Sequence, residues 1–195
     1  VATAPIGTDL RYSDDEVKRG SKLLTKLWNA AKYVLMNLTD FEPDTAPQIA
    51  IENRFIEDRW VLSELNKTIA EVRKHLDKYD NYNSRAAIDT FFYDVFCDRY
   101  LEFIKDRFWS PEKYSAQSKI AAQWTLFEVL RAVIGLYAPF IPFQTEELWQ
   151  KIYKPYEGGQ TLHLTAYPAV DSARDTDVSQ MQIALDILKN IRGLR

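Results

Sequence analysis

The chain has 195 residues, 46% of them hydrophobic and 13% aromatic, which is the composition of one folded domain and excludes a disordered or fibrous chain. A net charge of −3 excludes a general attraction for polyanions, so any nucleic-acid contact has to be local. The single Cys97 excludes an internal disulfide framework, no apolar run reaches the length of a membrane span, and the opening VATAPIGTDLRYSDDE lacks the features of a signal peptide.

Residues 1–12 read as an extended entry segment, with Asp9-Leu10-Arg11-Tyr12 outside any helix. Ser13-Asp14-Asp15-Glu16 is a helix start, with Ser13 or Asp14 as the cap and acids in the first turn. The first helix runs to about Leu38. Thr39 to Asn53 carries two prolines and reads as a loop. A second helix covers about Arg54 to Tyr79, with apolar residues three or four apart from Phe55 to Leu76. Asn81-Tyr82-Asn83 reads as a turn, and Ser84 opens a third helix that continues to about Phe108. Ser110-Pro111 begins the next connection. The fourth helix, Ala116 to Ala138, is the most apolar and is expected to be the most buried. Pro139 and Pro142 break it at a corner, and a fifth helix spans Phe143 to Tyr153. Gly158-Gly159 is a turn. Thr161 to Tyr167 alternates in polarity and predicts one short extended segment near 161–167. Val178 to Arg195 forms the last helix. The reading is an all-α antiparallel helix bundle, its core built on Trp28, Trp60, Phe92, Phe96, Trp124, Leu130 and Trp149.

A search for catalytic chemistry finds none. His75 and His163 have no companions at ligand spacing, and one cysteine does not make a zinc site. Cys97 lies in FFYDVFCDRYLEF, where a small apolar core residue is the expected role. Gly158-Gly159 lacks the spacing of a phosphate-binding loop. Asp94, Asp98, Glu102 and Asp106 recur every four residues, with Arg99, Lys105 and Arg107 among them. That pattern reads as a solvated helix face with local ion pairs.

The first helix is different. From Val17 to Leu38 it carries Lys18, Arg19, Lys22, Lys26 and Lys32 and no acid. On a helical wheel Lys18, Lys22, Thr25, Lys26, Asn29, Lys32 and Tyr33 share one side, opposite Leu23, Leu24, Leu27, Ala31, Val34, Leu35 and Leu38. Two readings remain open on spacing alone. One is a solvated basic face. The other is a surface for a phosphate backbone, with Asn29 and Tyr33 placed to meet unpaired bases.

The stretches DLRYSDDEVKRGSKLLTKLWNAAKYVLMNL, EDRWVLSELN, FFYDVFCDRYLEF, APFIPFQTEELWQ and TLHLTAYP, in that order, resemble the anticodon-binding domain of class I aminoacyl-tRNA synthetases, most closely its valyl branch. The resemblance spans nearly all of residues 1–168. It implies a helix bundle that grips a tRNA anticodon stem-loop through Lys18, Arg19, Lys22, Lys26, Asn29, Lys32 and Tyr33. It also implies that valine–tRNA ligation, with ATP and Mg, and the editing activity belong to upstream domains of a longer chain, leaving this piece without a catalytic site, cofactor or metal of its own. Residues 1–12 would be the linker from the catalytic domain, 13–168 the bundle, and 169–195 the start of a C-terminal extension. A cytoplasmic monomer that does not engage membrane is the expected setting. Relatives often carry an aromatic at Arg99 and an arginine at Ser21, and Lys22 or Arg19 would stand in for the latter. The alternative from another class is a helical protein-interaction domain, which would need an exposed apolar groove.

Overall fold

The computed structural model describes residues 7–8 and 12–193, with side chains to residue 187. The expected extended run at Asp9-Leu10-Arg11 lies outside the described residues. Helix α1 spans Asp14–Asn37. Ser13 precedes it in an extended conformation but makes no side-chain cap bond, so the expected cap is not formed by either candidate hydroxyl or carboxylate. The start instead relies on Asp14, Asp15 and Glu16 against the positive end of the helix dipole. The helix buries Leu23, Leu27, Ala30, Ala31 and Val34.

The connection to α2 is pinned rather than free. Phe41 meets Trp124 edge to face at 5.0 Å, and the Trp124 indole donates to the Pro47 carbonyl at 2.9 Å. The buried Arg54 donates to the Ile49 carbonyl (3.1 Å), the Thr125 hydroxyl (3.0 Å) and Glu128 (2.8 Å). Helix α2, Ile56–Leu76, ends in a tight reversal with Tyr79 at φ +58° and the Asp80 amide returning to the His75 carbonyl at 2.9 Å.

Asp80 then caps α3, Asn81–Thr90, by accepting from the Asn83 amide at 3.1 Å. Asn81-Tyr82-Asn83 is therefore the first turn of that helix and not a separate turn before Ser84. The cause is Asp80, whose carboxylate satisfies an orphan amide three residues ahead of the expected start.

The expected third helix is not uniform. After α3 it widens into a π-helical segment, Phe91–Tyr100, tightens as α4 (Leu101–Phe103), breaks at Ile104 and resumes as α5 (Lys105–Trp109). The buried Phe91, Phe96 and Tyr100 stand five and four residues apart, a spacing that the wider winding puts on one face. Arg107 also departs from expectation. It is buried at 1% exposure, whereas Asp94, Asp98, Glu102 and Asp106 lie at the surface.

Helix α6, Ala116–Tyr137, starts at Ser115, whose hydroxyl accepts from the Ser118 amide at 3.1 Å. It is buried on nearly every side, with α1, α2, α3, α5 and α7 packed around it. It is long and apolar enough to cross a membrane, but its apolar surface is enclosed by the bundle. The corner at Pro139 is closed by the Phe140 and Ile141 amides, which both return to the Tyr137 carbonyl. Pro142 opens α7 (Pro142–Ile152), where its missing amide costs no helical bond. A short α8, Lys154–Glu157, leads to Gly158 and Gly159, both at positive φ.

The expected extended segment at 161–167 is not a strand, and no strand occurs among the described residues. Leu162–Leu164 form a 3₁₀ turn between extended residues Thr161 and Thr165. No second strand exists to pair with it, so Glu146 takes the bonds a ladder would have taken. Its carboxylate accepts from the Leu162 amide (2.9 Å) and the Thr161 hydroxyl (2.8 Å). From there a strap, residues 160–176, crosses α6 and α2. Pro168 lies so close to Gly135 that a Cβ there would fall 2.8 Å from its ring. Arg73 donates to the Pro168 carbonyl at 3.0 Å, and Asn66 holds both the Asp171 amide (2.9 Å) and Asp175 (2.7 Å). Helix α9, Ser179–Gly193, follows and packs on α2, with Met181 buried.

Of the expected core, Trp60, Phe92, Phe96, Trp124, Leu130 and Trp149 are buried. Trp28 is not: it is 42% exposed, on the shoulder of α1 beyond the arc that α6 covers, and Leu24 and Leu35 share that shoulder.

Candidate nucleic-acid interface

Helix α1 lies against α6 and α7, so its outer side forms a ridge on the bundle. The structure divides the basic residues of this helix into two sets. Lys22 and Lys32 are exposed and make no ion pair among the described residues, and Asn29 is exposed between them. Lys18 is also exposed, 3.8 Å from Asp15 across one helical turn. Arg19 and Lys26 are engaged. Arg19 donates to Glu16 at 2.7 Å. Lys26 donates to Asp98 at 3.1 Å, and its ammonium sits 4.7 Å from the centre of the Tyr93 ring. The helix has no internal acid to balance its charge, but the π-helical segment supplies one from the side.

Ser21, Lys22, Thr25, Lys26 and Asn29 line a shallow groove of about 380 Å³ along the ridge. From Lys18 to Lys32 the ridge rises about 21 Å at 1.5 Å per residue. Tyr33 turns away from it. Its ring is half-buried toward α5, and burial pushes its hydroxyl pKa up, opposed by Lys105. That hydroxyl is buried without a hydrogen-bond partner, and the Asn37 amide beside it donates to the Tyr33 carbonyl instead.

Several exposed aromatics near these elements escaped the sequence reading. Trp28 flanks the ridge, Phe143 at the start of α7 is 91% exposed, and Trp109 at the end of α5 is 71% exposed. Gln144 ties α7 to the ridge by donating to the Leu24 carbonyl at 2.7 Å. For Phe143 and Trp109 a signal was present, since each is a large aromatic at a helix end next to a proline or a Ser-Pro. The exposure of Trp28 needed the neighbours of α1 to be known.

The remaining reactive groups do not assemble. Burial pushes the Cys97 thiol up to about 12 despite the nearby Lys26, so it stays protonated at neutral pH. His75 lies 3.2 Å from Asp80 at the end of α2, and His163 is exposed on the strap. Among the described residues no three His, Cys, Asp or Glu groups stand together at metal-ligand distance.

Residues 58–195 match the family described as the anticodon-binding domain of tRNA ligase. Among curated proteins, the chain is similar to a valine–tRNA ligase of Fusobacterium nucleatum subsp. nucleatum, 32% identical over 191 residues, covering 97% of this chain and 21% of that protein. The corresponding enzyme of Carboxydothermus hydrogenoformans is 35% identical over the same length and coverage, and that of Thermotoga maritima is 33% identical over 189 residues, 97% of this chain and 20% of that protein. The chain thus spans about a fifth of the length of these relatives. These alignments include α1, which lies before the family match. Among solved structures, LeuRS of Agrobacterium radiobacter K84, in a ternary complex with tRNA and LeuAMS, shares the fold at a TM-score of 0.54. That likeness has 17% identity and covers 86% of this chain and 18% of the other.

Proposed function

Because the chain belongs to the anticodon-binding domain family of tRNA ligases, we propose that it binds the anticodon stem-loop of a tRNA along the exposed ridge of α1. The observation that carries the assignment of the ridge is its unpaired cationic line. Lys22 and Lys32 stand free at the surface, Lys18 is bound only across one turn to an exposed acid, and Asn29 lies among them. An exposed lysine without a partner adds little to folding but is available to neutralise phosphate. In this reading Lys18, Lys22 and Lys32 contact the backbone of the RNA. Asn29, an amide with two donors and an acceptor, reads a base edge. Arg19 adds charge at the start of the ridge. Lys26 is held by Asp98 and Tyr93, and its role is to fix the floor of the groove between Lys22 and Asn29.

The similarity to valine–tRNA ligases makes valine attachment the activity we propose for the longer protein, with ATP, Mg and editing handled by segments outside these residues. We assign a cytoplasmic, monomeric setting on the same basis. The family match favours this over a protein-interaction module.

The test is a salt titration of tRNA binding. Lys22→Ala combined with Lys32→Ala should weaken binding to any tRNA and flatten the log–log salt slope by about 1.4–1.8, at roughly 0.7–0.9 per lost phosphate contact. Asn29→Ala should alter the ratio of cognate to non-cognate binding and leave the slope alone. An unchanged slope for the double variant would make the ridge an ordinary solvated face.

A further inference from the structure

Beside the ridge lies a second groove, of about 590 Å³, between the C-terminal end of α1 and α5. Tyr33, Met36, Asn37, Phe108, Trp109 and Lys119 line it. We propose that this groove takes an unpaired base of the bound RNA, stacked on Trp109 and hydrogen-bonded to the Tyr33 hydroxyl. The proposal rests on the RNA-binding reading above and adds a subsite to it.

Three observations point the same way. Trp109 and Met36 are 71% and 65% exposed, so two large apolar side chains meet solvent at one place, where a flat ring would cover them. The Lys105 ammonium lies 5.7 Å from the Trp109 ring centre and pairs with Glu102 at 2.5 Å, which holds the indole in place. The Tyr33 hydroxyl is buried with no hydrogen-bond partner, an uncommon state whose cost a ligand with a polar edge would remove.

The charges on the wall cancel, since Lys119 pairs with Asp40. The groove therefore suits a neutral, flat, heteroaromatic group better than a phosphate. A phenol hydroxyl both donates and accepts, so it tolerates any base, as stacking does. Tyr33 is also one helical turn beyond Asn29, about 6 Å along the axis, within reach of a strand that follows the ridge.

The experiment uses the 195-residue chain and anticodon stem-loop RNAs carrying 2-aminopurine at one loop position at a time. One position should change in fluorescence on binding. Trp109→Ala should abolish that change and weaken binding about fivefold or more, with the salt slope unchanged, because a stacking contact is lost and no phosphate contact is. Tyr33→Phe should weaken binding by a smaller factor and leave the melting temperature equal or higher, because it deletes an unsatisfied buried hydroxyl. If both variants keep wild-type affinity and fluorescence while Lys22→Ala with Lys32→Ala loses binding, this subsite is wrong and the ridge assignment stands. If the wild-type chain shows no salt-dependent binding to any stem-loop, the RNA reading fails and the subsite fails with it.

Discussion

The lysines of α1 and the arginines of the interior carry the same charge to opposite ends. Lys22 and Lys32 stand in solvent without a partner, whereas Arg107 is enclosed. Its guanidinium donates to both oxygens of Asp58 (2.7 and 3.0 Å) and to Glu57 (2.6 Å), and lies 4.6 Å from the Phe55 ring centre. Tyr100 donates to the same Asp58 at 2.7 Å. Burial alone would lower the Arg107 pKa, but Asp58 outweighs it and the group is held charged. Arg54 and Arg131 follow this pattern, each with several acceptors. A planar fork with five donors suits fixed internal pairing, and a mobile point charge suits a surface that must accept a polyanion in more than one pose. Residue type and burial together separate charge that holds the fold from charge left available to a partner.

The largest effect should come from breaking the interior set. Arg107→Ala leaves Asp58 buried and uncompensated and should cost about 3–5 kcal/mol in urea unfolding, while Lys22→Ala or Lys32→Ala should stay within about 0.5 kcal/mol. Conservative swaps sharpen the contrast. Arg107→Lys should recover only part of the loss, because the two-pronged bond to Asp58 is gone, whereas Lys22→Arg with Lys32→Arg should retain tRNA affinity and salt slope. Next in size is a difference between the two long helices. Ser115→Ala should cost about 1 kcal/mol, because that hydroxyl caps α6, and Ser13→Ala should be near neutral, because it caps nothing.

The smallest effect concerns Lys119, a lysine engaged in an ion pair. Its bond holds the Asp40 carboxyl below the usual carboxylate range. A depressed folded pKa stabilises above the unfolded pKa and is lost as pH falls through the folded one. Asp40→Asn should therefore lower the melting temperature slightly at neutral pH. Wild type and variant should converge as the pH drops below the carboxylate range.

The helices of the bundle were legible because their apolar residues recur at helical spacing and Pro139, Pro142 and Gly158 punctuate them. What was hidden depended on partners distant in sequence. Arg107 looked like one more surface charge because Asp58 lies 49 residues before it. Trp28 looked like core because a wheel shows which side is apolar but not how wide an arc the neighbours cover. The alternation at 161–167 suggested a strand, yet alternation specifies a strand only where a second strand can pair, and here Glu146 and α6 were waiting instead. On the ridge, the clustering of Lys18, Lys22, Asn29 and Lys32 was readable from spacing. The engagement of Lys26 by Asp98 was not, and neither was the groove at Trp109, which needs the break at Ile104 to bring α5 beside α1.

The strap has a consequence in time. Its ties join residues far apart in sequence, with Arg73 reaching Pro168 across 95 positions and Asn66 reaching Asp175 across 109. Loops of that length are only slightly harder to close at equilibrium than shorter ones, but they close late and slow the search. Helices α2 and α6 would thus meet first, with Gly135 and Asn66 still uncovered, and the strap would lock them afterwards. Synthesis from the N-terminus delivers residues 160–176 after everything they cover, so the order of manufacture and the order of assembly coincide.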